Sequence, residues 1–216
     1  MWFEIFKFEI QYRSKRPETY LFFLVILLFS LVAFDFIFEG QDLGQIGENS
    51  PYTIAKTMTI VSGFFMLIAS LVMGMPVLRD FDHQMASIIF VNPISKKDYL
   101  LGRFAGSIAV LIVIYSALMW GMMLGELMPW RQPEKMLSFN PLSYLKPFVT
   151  LVMPTLFVGG ALFFVSGTLS KKMIVVYTQG LVFFMLTLIS ILLDNQTIAA
   201  LLEPFAFSAV GEVTKH

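Results

Sequence analysis

Residues 79–103 read RDFDHQMASIIFVNPISKKDYLLGR, and they form the longest charged stretch between two strongly apolar runs. The runs on both sides are long enough to cross the hydrocarbon core of a bilayer, which takes about 20 residues. The stretch contains four basic and three acidic residues, which are Arg79, Lys96, Lys97, Arg103, Asp80, Asp82 and Asp98. It therefore predicts a polar connection between two membrane helices, on one side of the membrane.

The composition of the whole chain indicates a membrane protein. Hydrophobic residues make up 57% of the 216 residues and charged residues 14%, whereas a soluble domain has about 25% charged residues. Lipid must replace water around much of the chain, and we predict an all-α, polytopic helical membrane protein. The net charge of zero provides no general basic surface for nucleic acid, and the absence of cysteine excludes disulfides and thiolate metal sites.

Five apolar segments predict five transmembrane helices within a single domain that covers residues 1–216. They lie at about 20–38, 58–78, 105–124, 148–169 and 173–193. Residues 39–57 and 126–147 are predicted loops. Residues 1–16 have apolar residues around a polar stripe at helical spacing, which predicts a helix in the membrane interface. The stripe consists of Glu4, Lys7, Gln11 and Ser14. A simple anchor and a functional docking helix are both compatible with this pattern.

The 79–103 stretch itself divides into two predicted helices. Residues 79–91 have apolar residues on one helical face and polar residues on the other, which predicts a surface helix along the membrane. Asn92-Pro93 ends this helix, because the residue before a proline is disfavoured in the α region. Ser95 then caps the next helix, and Asp98, three residues on, completes a capping box.

Small residues within the predicted spans indicate close helix contacts. Two glycine pairs have the four-residue spacing that lets helix backbones approach each other, Gly102 with Gly106 and Gly121 with Gly125. In the fourth predicted span, Pro154 permits a kink, and the adjacent Gly159 and Gly160 allow close backbone approach. These three residues suit either plain packing or a gating hinge.

Lysine and arginine residues are distributed unequally between the two sides of the predicted helices. Ten lie on the side of the N-terminus, of residues 79–103 and of the 171–172 loop, and five lie on the other side. The positive-inside rule places the first side in the cytoplasm. The N-terminus is therefore predicted to be cytoplasmic and the tail, residues 194–216, extracytoplasmic. The apolar residues of this tail need a surface to pack on, so we expect the chain to be the N-terminal portion of a longer one.

No residue pattern indicates catalysis or metal binding. The spacing of His, Asp and Glu matches no metal site, and the serines within the spans have no nearby base in the sequence. The phosphate-binding motif GxxxxGK[ST] is absent, so the sequence contains no ATP-hydrolysing site of that type. Acids are nearly absent from the predicted spans, which argues against an ion-coupled pump, because such pumps need intramembrane carboxylates. We therefore assign no catalytic residue and no metal ligand.

The order of elements from the N-terminal helix to the third span resembles type-2 ABC transporter permeases, the membrane subunits of ABC exporters. The residues that carry this resemblance are Asp80 and Asp82, then Pro93-Ile94-Ser95-Lys96, then Tyr99-Leu100-Leu101-Gly102-Arg103. The tail LEPFAFSAVGEVTKH also resembles the segment before the sixth span in a bacterial branch of the family. Two features depart from the family pattern: His83-Gln84-Met85-Ala86 stands where Gly-Thr often follows the acid, and no sixth span lies within the 216 residues.

The resemblance implies that the 79–103 stretch is a coupling segment that docks on a separate ATP-binding subunit. The implied coupling residues are Arg79, Asp80, Asp82, His83, Gln84, Lys96 and Lys97. It further implies that the partner binds ATP and Mg²⁺, that this chain binds no cofactor, and that a second permease copy completes the exporter in a bacterial inner membrane. The alternatives are a surface helix that transmits no force, a non-transporting anchor or scaffold for a C-terminal enzyme domain, and a membrane-embedded enzyme.

Overall fold

The computed structural model describes residues 1–38, 47–82, 95–129 and 136–192. Within these ranges every regular element is helical, which confirms the all-α prediction for the described part of the chain. The helices, numbered in chain order, are α1 (Trp2–Ser14), α2 (Pro17–Phe38), α3 (Pro51–Phe64), α4 (Met66–Asp82), α5 (Lys96–Gly125), α6 (Leu142–Pro147), α7 (Met153–Ser170) and α8 (Met173–Leu192). A π-helical turn, Phe148–Val152, joins α6 to α7.

Three helical segments are long and apolar enough to cross a membrane: α5, the continuous segment Leu142–Ser170, and Met173–Ser190 of α8. Two helix pairs meet the same standard when each pair is taken as one segment, although each is bent. The bend is 71° between α1 and α2, and 50° between α3 and α4. The described chain thus has three to five segments with the length and composition of membrane spans.

α1 and α2 follow α5 in the same direction. A Cβ atom added at Gly102, near the start of α5, would lie 2.6 Å from the Trp2 carbonyl oxygen, and one added at Gly121 would lie 2.6 Å from that of Leu27. The contacts advance along both segments together, so α2 and α5 are parallel. Pro17 begins α2 directly after the bend, because a proline is tolerated in the first helical turn, where its missing N–H has no helical acceptor.

α3 begins at Pro51, within the predicted 39–57 loop and before the predicted second span. Ser50 sets this start, because its hydroxyl accepts a hydrogen bond from the Thr53 N–H at 3.2 Å. The helix therefore includes polar residues of the predicted loop, because a prediction based on apolar segments places the start of the span after them.

The second predicted span consists of two helices rather than one. The break lies at Phe65, where the Tyr115 hydroxyl of α5 donates to the Phe65 carbonyl oxygen at 2.7 Å. The Ile68 and Ala69 N–H groups donate to the same oxygen at 2.9 and 3.3 Å, so the Tyr115 hydroxyl is a further donor at the break. Beyond the break, α4 runs without interruption to Asp82, so the first residues of the predicted surface helix 79–91 extend α4 instead. Residues 83–94 lie outside the described residues.

α5 begins at Lys96, earlier than the apolar span predicted at 105–124. The predicted N-cap is confirmed: the Asp98 N–H donates to the Ser95 hydroxyl oxygen at 3.0 Å, and this hydroxyl is 2.9 Å from the Asp98 carboxylate. A polar first turn thus extends the helix beyond the hydrophobic segment, and it places Arg103 on the same rigid helix as the apolar core.

The fourth predicted span also starts earlier than expected, because the end of the predicted 126–147 loop is helical. α6 begins at Leu142, whose N–H donates to the Asn140 side-chain oxygen at 3.1 Å. Pro147 does not end the helix, although a proline removes one backbone hydrogen bond. The backbone widens directly after it into the π turn, and then continues as α7.

α7 and α8 are joined by the very tight loop that the sequence predicts at residues 170–172. Lys171 has the left-handed backbone conformation, with φ of 53°, and its N–H donates to the Gly167 carbonyl oxygen at 3.0 Å. This geometry is the usual way to end a helix and turn the chain back.

α4 and α5 lie at the centre of the described bundle. α4 packs against α3, α5, α7 and α8, and α5 packs against α1, α2, α3, α4, α6 and α7. Residues such as Met66 and Met73 of α4 and Leu111 and Leu118 of α5 are fully buried. Residues 83–94 connect these two central helices along the chain, so a displacement of that connection acts on both helices.

Candidate functional site

Two arginines at the ends of the 79–103 stretch meet at one carboxylate of α1. Arg79, near the end of α4, donates through Nη2 to Glu9 Oε2 at 3.3 Å. Arg103, in the third turn of α5, donates through Nη1 to the same oxygen. Glu9 therefore links the helix that leads into the stretch to the helix that leads out of it.

The other oxygen of Glu9 binds an arginine of its own helix. The Arg13 Nε atom donates to Glu9 Oε1 at 2.7 Å, and the Arg13 Nη2 atom donates to the Val72 carbonyl oxygen of α4 at 2.6 Å. The four-residue spacing places the two side chains on one face of α1. Arg13 thus orients the carboxylate and ties α1 to α4. We call Glu9, Arg13, Arg79 and Arg103 the Glu9 cluster.

The Glu9 cluster is largely shielded from solvent. Glu9 is 0% exposed, Arg13 7% and Arg103 5%. Burial raises the pKa of the Glu9 carboxyl, but Arg13, followed by Arg103 and Arg79, outweighs this effect and lowers the pKa below its usual value. Glu9, on the helix before the first predicted span, is therefore a carboxylate at neutral pH. Buried charges need such pairing, because leaving one without its counter-ion is costly.

Aromatic rings of α1 also contact the two arginines from α4 and α5. The guanidinium carbon of Arg79 lies 4.0 Å from the centre of the Tyr12 ring, and that of Arg103 lies 5.4 Å from the centre of the Phe8 ring. A guanidinium over a ring face gains about 0.5–1 kcal/mol at exposed sites and more when it is desolvated. α1 therefore offers each of these arginines a ring as well as a carboxylate.

The predicted glycine pairs lie where α5 meets α1 and α2. A Cβ atom added at Gly106 would lie 2.7 Å from the Glu9 Cβ atom, and Gly102 lies under the same helix one turn earlier. Gly121 and Gly125 have the same relation to backbone carbonyl groups of α2. The close approach at Gly106 brings the backbone of α1 near enough for Glu9 to reach both arginines.

Of the predicted coupling residues, the structure brings Arg79 into the cluster and describes the backbone position of four others. These four are Asp80 and Asp82 in the last turn of α4, and Lys96 and Lys97 in the exposed first turn of α5. His83 and Gln84 lie outside the described residues.

Pro154, Gly159 and Gly160 lie on α7, which packs against both central helices. Pro154 stands in the first turn of α7, directly after the π turn. A Cβ atom added at Gly160 would lie 2.8 Å from the Ile108 Cδ1 atom of α5, and Gly159 faces the Met66 side chain of α4. Both glycines lie at packing contacts, and a hinge at Pro154 stays a prediction.

The sequence analysis did not identify Glu9 or Arg13. It assigned the polar stripe of α1 to other residues, such as Glu4 and Lys7, which are exposed in the structure. The available signal was an acid among apolar residues with an arginine four positions later, which is the spacing of a helical ion pair. The two more distant arginines could not be found in this way, because only the tertiary packing brings them to Glu9.

The arrangement suits mechanical linkage rather than bond-making chemistry. Both oxygens of Glu9 accept hydrogen bonds from guanidinium groups, and arginine does not give up its proton at any ordinary pH. In the described ranges, no three His, Asp or Glu side chains come close enough to hold a metal ion. The cluster can therefore fix the positions of three helices relative to each other.

No family model matches the sequence, and no curated protein and no solved structure is significantly similar to it. The resemblance to ABC permeases rests on the residues quoted above. Any function of the chain is therefore a proposal, supported by those residues and by the geometry of the described helices.

Proposed function

We propose that the chain is the membrane-spanning permease subunit of an ABC exporter and forms part of its translocation pathway. A separate ATP-binding subunit docks on the 79–103 stretch and binds ATP and Mg²⁺. The central position of α4 and α5 gives this proposal its main support. These two helices, joined by residues 83–94, together contact every other described α-helix. A force applied at that connection therefore reaches the whole described bundle.

Close packing makes such a transmission physically plausible. Well-packed interiors are nearly incompressible and switch between discrete arrangements instead of deforming gradually. The shared contact of Arg79 and Arg103 with Glu9 keeps the two central helices from separating at their base. When the ATPase subunits close on ATP, the displaced stretch moves both helices, and the helices packed against them follow. Two permease copies then alternate the access of a cavity between the two sides of the membrane.

The proposal includes five membrane crossings, with the N-terminus in the cytoplasm of a bacterial cell and the chain in its inner membrane. The parallel arrangement of α2 and α5 supports this count, because the first and third of a series of alternating crossings must run in the same direction. Single cysteines at Lys7 and Glu48 test it in intact cells, since the chain has no cysteine of its own. An impermeant maleimide should label position 48 only. Labelling of position 7 from outside contradicts this topology.

The partner subunit is best identified by purification from the native membrane. The tagged full-length protein is extracted in mild detergent, and the co-purifying proteins are identified by mass spectrometry. We expect a stoichiometric protein with a GxxxxGK[ST] motif. Reversing the charges of Asp80 and Asp82 to lysine should remove this protein, because both acids stand at the end of α4 where the docking segment begins.

A matched control reverses two exposed acids on the same predicted side of the membrane, Glu4→Lys and Glu18→Lys. This variant should retain the ATPase. The absence of any such ATPase from wild-type preparations in several mild detergents would contradict the proposal and favour the anchor or scaffold for a C-terminal enzyme domain.

A further inference from the structure

We propose that Glu9 is a positioning residue of the exporter. It holds α1 across the base of the 79–103 stretch, so that α1, α4 and α5 move as one unit when the ATPase subunit displaces the stretch. The coupling part of this inference rests on the proposed function. The juxtaposition that carries it is one buried carboxylate on α1 bound to both Arg79 and Arg103.

The sharing of a single oxygen makes Glu9 more than a local ion pair. Arg79 and Arg103 both donate to Oε2, so the end of α4 and the start of α5 are held at a separation that a third helix sets. Two guanidinium groups directed at one point repel each other unless an anion lies between them. Removing the charge of Glu9 therefore does not only loosen α1. It also pushes apart the two helices that flank the stretch.

α1 has independent contacts with each of these helices, which allows it to act as a rigid bridge. Arg13 binds the Val72 carbonyl oxygen of α4. Gly106 of α5 brings the backbones of α1 and α5 into close contact at Glu9. Through these contacts and the shared carboxylate, each of the helices α1, α4 and α5 is in contact with the other two. A helix attached by lipid contacts alone would not couple to the movement of the other two.

A purely stabilising role for Glu9 makes a different prediction. In that case its removal lowers stability, but the response of the bundle to nucleotide persists in the protein that remains folded. The experiment therefore needs one reporter of α1 docking and a second reporter of the nucleotide response. Both can be single cysteines, because the natural chain has none.

The docking reporter is Ile5→Cys, whose Cβ atom lies 2.7 Å from the position of a Cβ atom on Gly102 of α5. In the purified complex with its ATPase, we measure the rate of labelling by a water-soluble maleimide. Breaking a buried ion pair is strongly destabilising, so Glu9→Gln should raise this rate about tenfold or more. Glu4→Gln is the matched control, because it makes the same change at an exposed acid of the same helix, and it should leave the rate unchanged.

The nucleotide reporter is Ser62→Cys, a nearly isosteric change at a residue that is 1% exposed on α3, close to the break before α4. In the wild-type complex, a non-hydrolysable ATP analogue should change its labelling rate severalfold. Glu9→Gln should abolish this change while the ATPase remains bound. Glu4→Gln should preserve it.

The outcomes separate the possibilities. Faster Ile5→Cys labelling together with a lost nucleotide response supports the inference. An unchanged Ile5→Cys rate, or a faster rate with an intact nucleotide response, overturns it. A wild-type complex without any nucleotide response at Ser62→Cys counts against the proposed function itself and thus removes the coupling role, while the Ile5→Cys rates still report whether Glu9 holds α1.

A second variant keeps the test decisive where Glu9→Gln does not yield a folded complex. Arg103→Lys keeps the positive charge but replaces the planar guanidinium fork by a single ammonium group. It should give an Ile5→Cys rate between those of the wild type and a fully released α1, with a reduced nucleotide response. Wild-type values for both reporters in Arg103→Lys would overturn the inference.

Discussion

Arg79 and Arg103, the first and last residues of the 79–103 stretch, donate to the same carboxylate oxygen, Oε2 of Glu9. The two ends of the stretch are thus held together by Glu9, an acid from a distant part of the chain. This relationship joins the N-terminal helix to the two central helices of the bundle, and four of the predictions below follow from the packing around those helices.

Glu9→Gln should destabilise the folded protein strongly. The glutamine keeps the size of the side chain, but it leaves three arginine side chains without their shared carboxylate in a buried site. Breaking a buried ion pair from one side costs about 3–5 kcal/mol. Thermal unfolding in detergent, followed by circular dichroism, should show a large fall in Tm, whereas the exposed Glu4→Gln should change Tm little. Equal Tm values for the two variants would show that the cluster does not stabilise the fold.

The contribution of Glu9 should depend on pH in a defined direction. The arginines lower the pKa of its carboxyl in the folded state, so its stabilisation is fully present above the ordinary value of 4.5 and is lost as the pH falls through the lowered value. The difference in Tm between the wild type and Glu9→Gln should be constant between about pH 6 and 8 and should shrink below about pH 4.5. A difference that shrinks near neutral pH would be inconsistent with a lowered pKa.

Gly121→Ala should destabilise the contact between α5 and α2. Its Cβ atom would lie 2.6 Å from the Leu27 carbonyl oxygen, which belongs to the helix backbone and cannot move aside alone. Overpacking of this kind costs about 1–3 kcal/mol. Gly167→Ala is the matched control, because its nearest neighbour is a Val176 side-chain atom at 3.2 Å. Both variants gain helix propensity, so only Gly121→Ala should lower Tm clearly, and a Tm at or above the wild-type value for it would contradict the close α2–α5 contact.

Tyr115→Phe should lower the stability of the protein by removing a hydrogen bond at the break between α3 and α4. The Tyr115 hydroxyl is buried and donates to the Phe65 carbonyl oxygen. This oxygen also accepts hydrogen bonds from the N–H groups of Ile68 and Ala69. Loss of this hydrogen bond should cost about 1 kcal/mol, measured as a lowered Tm. Tyr20→Phe removes a comparable hydrogen bond, to the Ser14 carbonyl oxygen, at an exposed position and should have less effect. An equal effect of both variants would argue against a special role for Tyr115 at the bend.

The helical class and the approximate places of the apolar segments follow from the sequence, because burial in lipid requires long apolar runs with internal hydrogen bonds. The start of α5 at Lys96 could also be predicted, because the Ser95 cap is a local signal in the sequence. The break at Phe65 could not be predicted, because the hydroxyl that binds its carbonyl oxygen comes from another helix. The helical continuation through Pro147 was missed because a proline within a sequence usually marks the end of a helix, whereas here the backbone continues as a π turn.

The candidate site was found only in part: Arg79 was a predicted coupling residue, whereas Arg103 was noted only as the last charge of the 79–103 stretch and as part of the family resemblance. Arg79 and Arg103 stand out in the sequence as charges between apolar runs. Their common partner does not, because Glu9 lies among apolar residues of an aromatic-rich helix and its role depends on tertiary contacts with residues 70 and 94 positions further along the chain. The glycine spacing at Gly102 and Gly106 indicated a close helix contact, but it did not indicate which helix would fill it.

The most direct test of the proposed function asks which protein touches the 79–103 stretch in the membrane. Single cysteines are placed at Ser95, an exposed residue directly before α5, and at Glu48, on the predicted opposite side, and each is reacted with a short cysteine-to-amine cross-linker in native membranes. We predict that position 95 cross-links to a protein with a GxxxxGK[ST] motif and that position 48 does not. Cross-linking from position 48 to such a protein, or none from position 95, would contradict the coupling of this chain to an ATPase through residues 79–103.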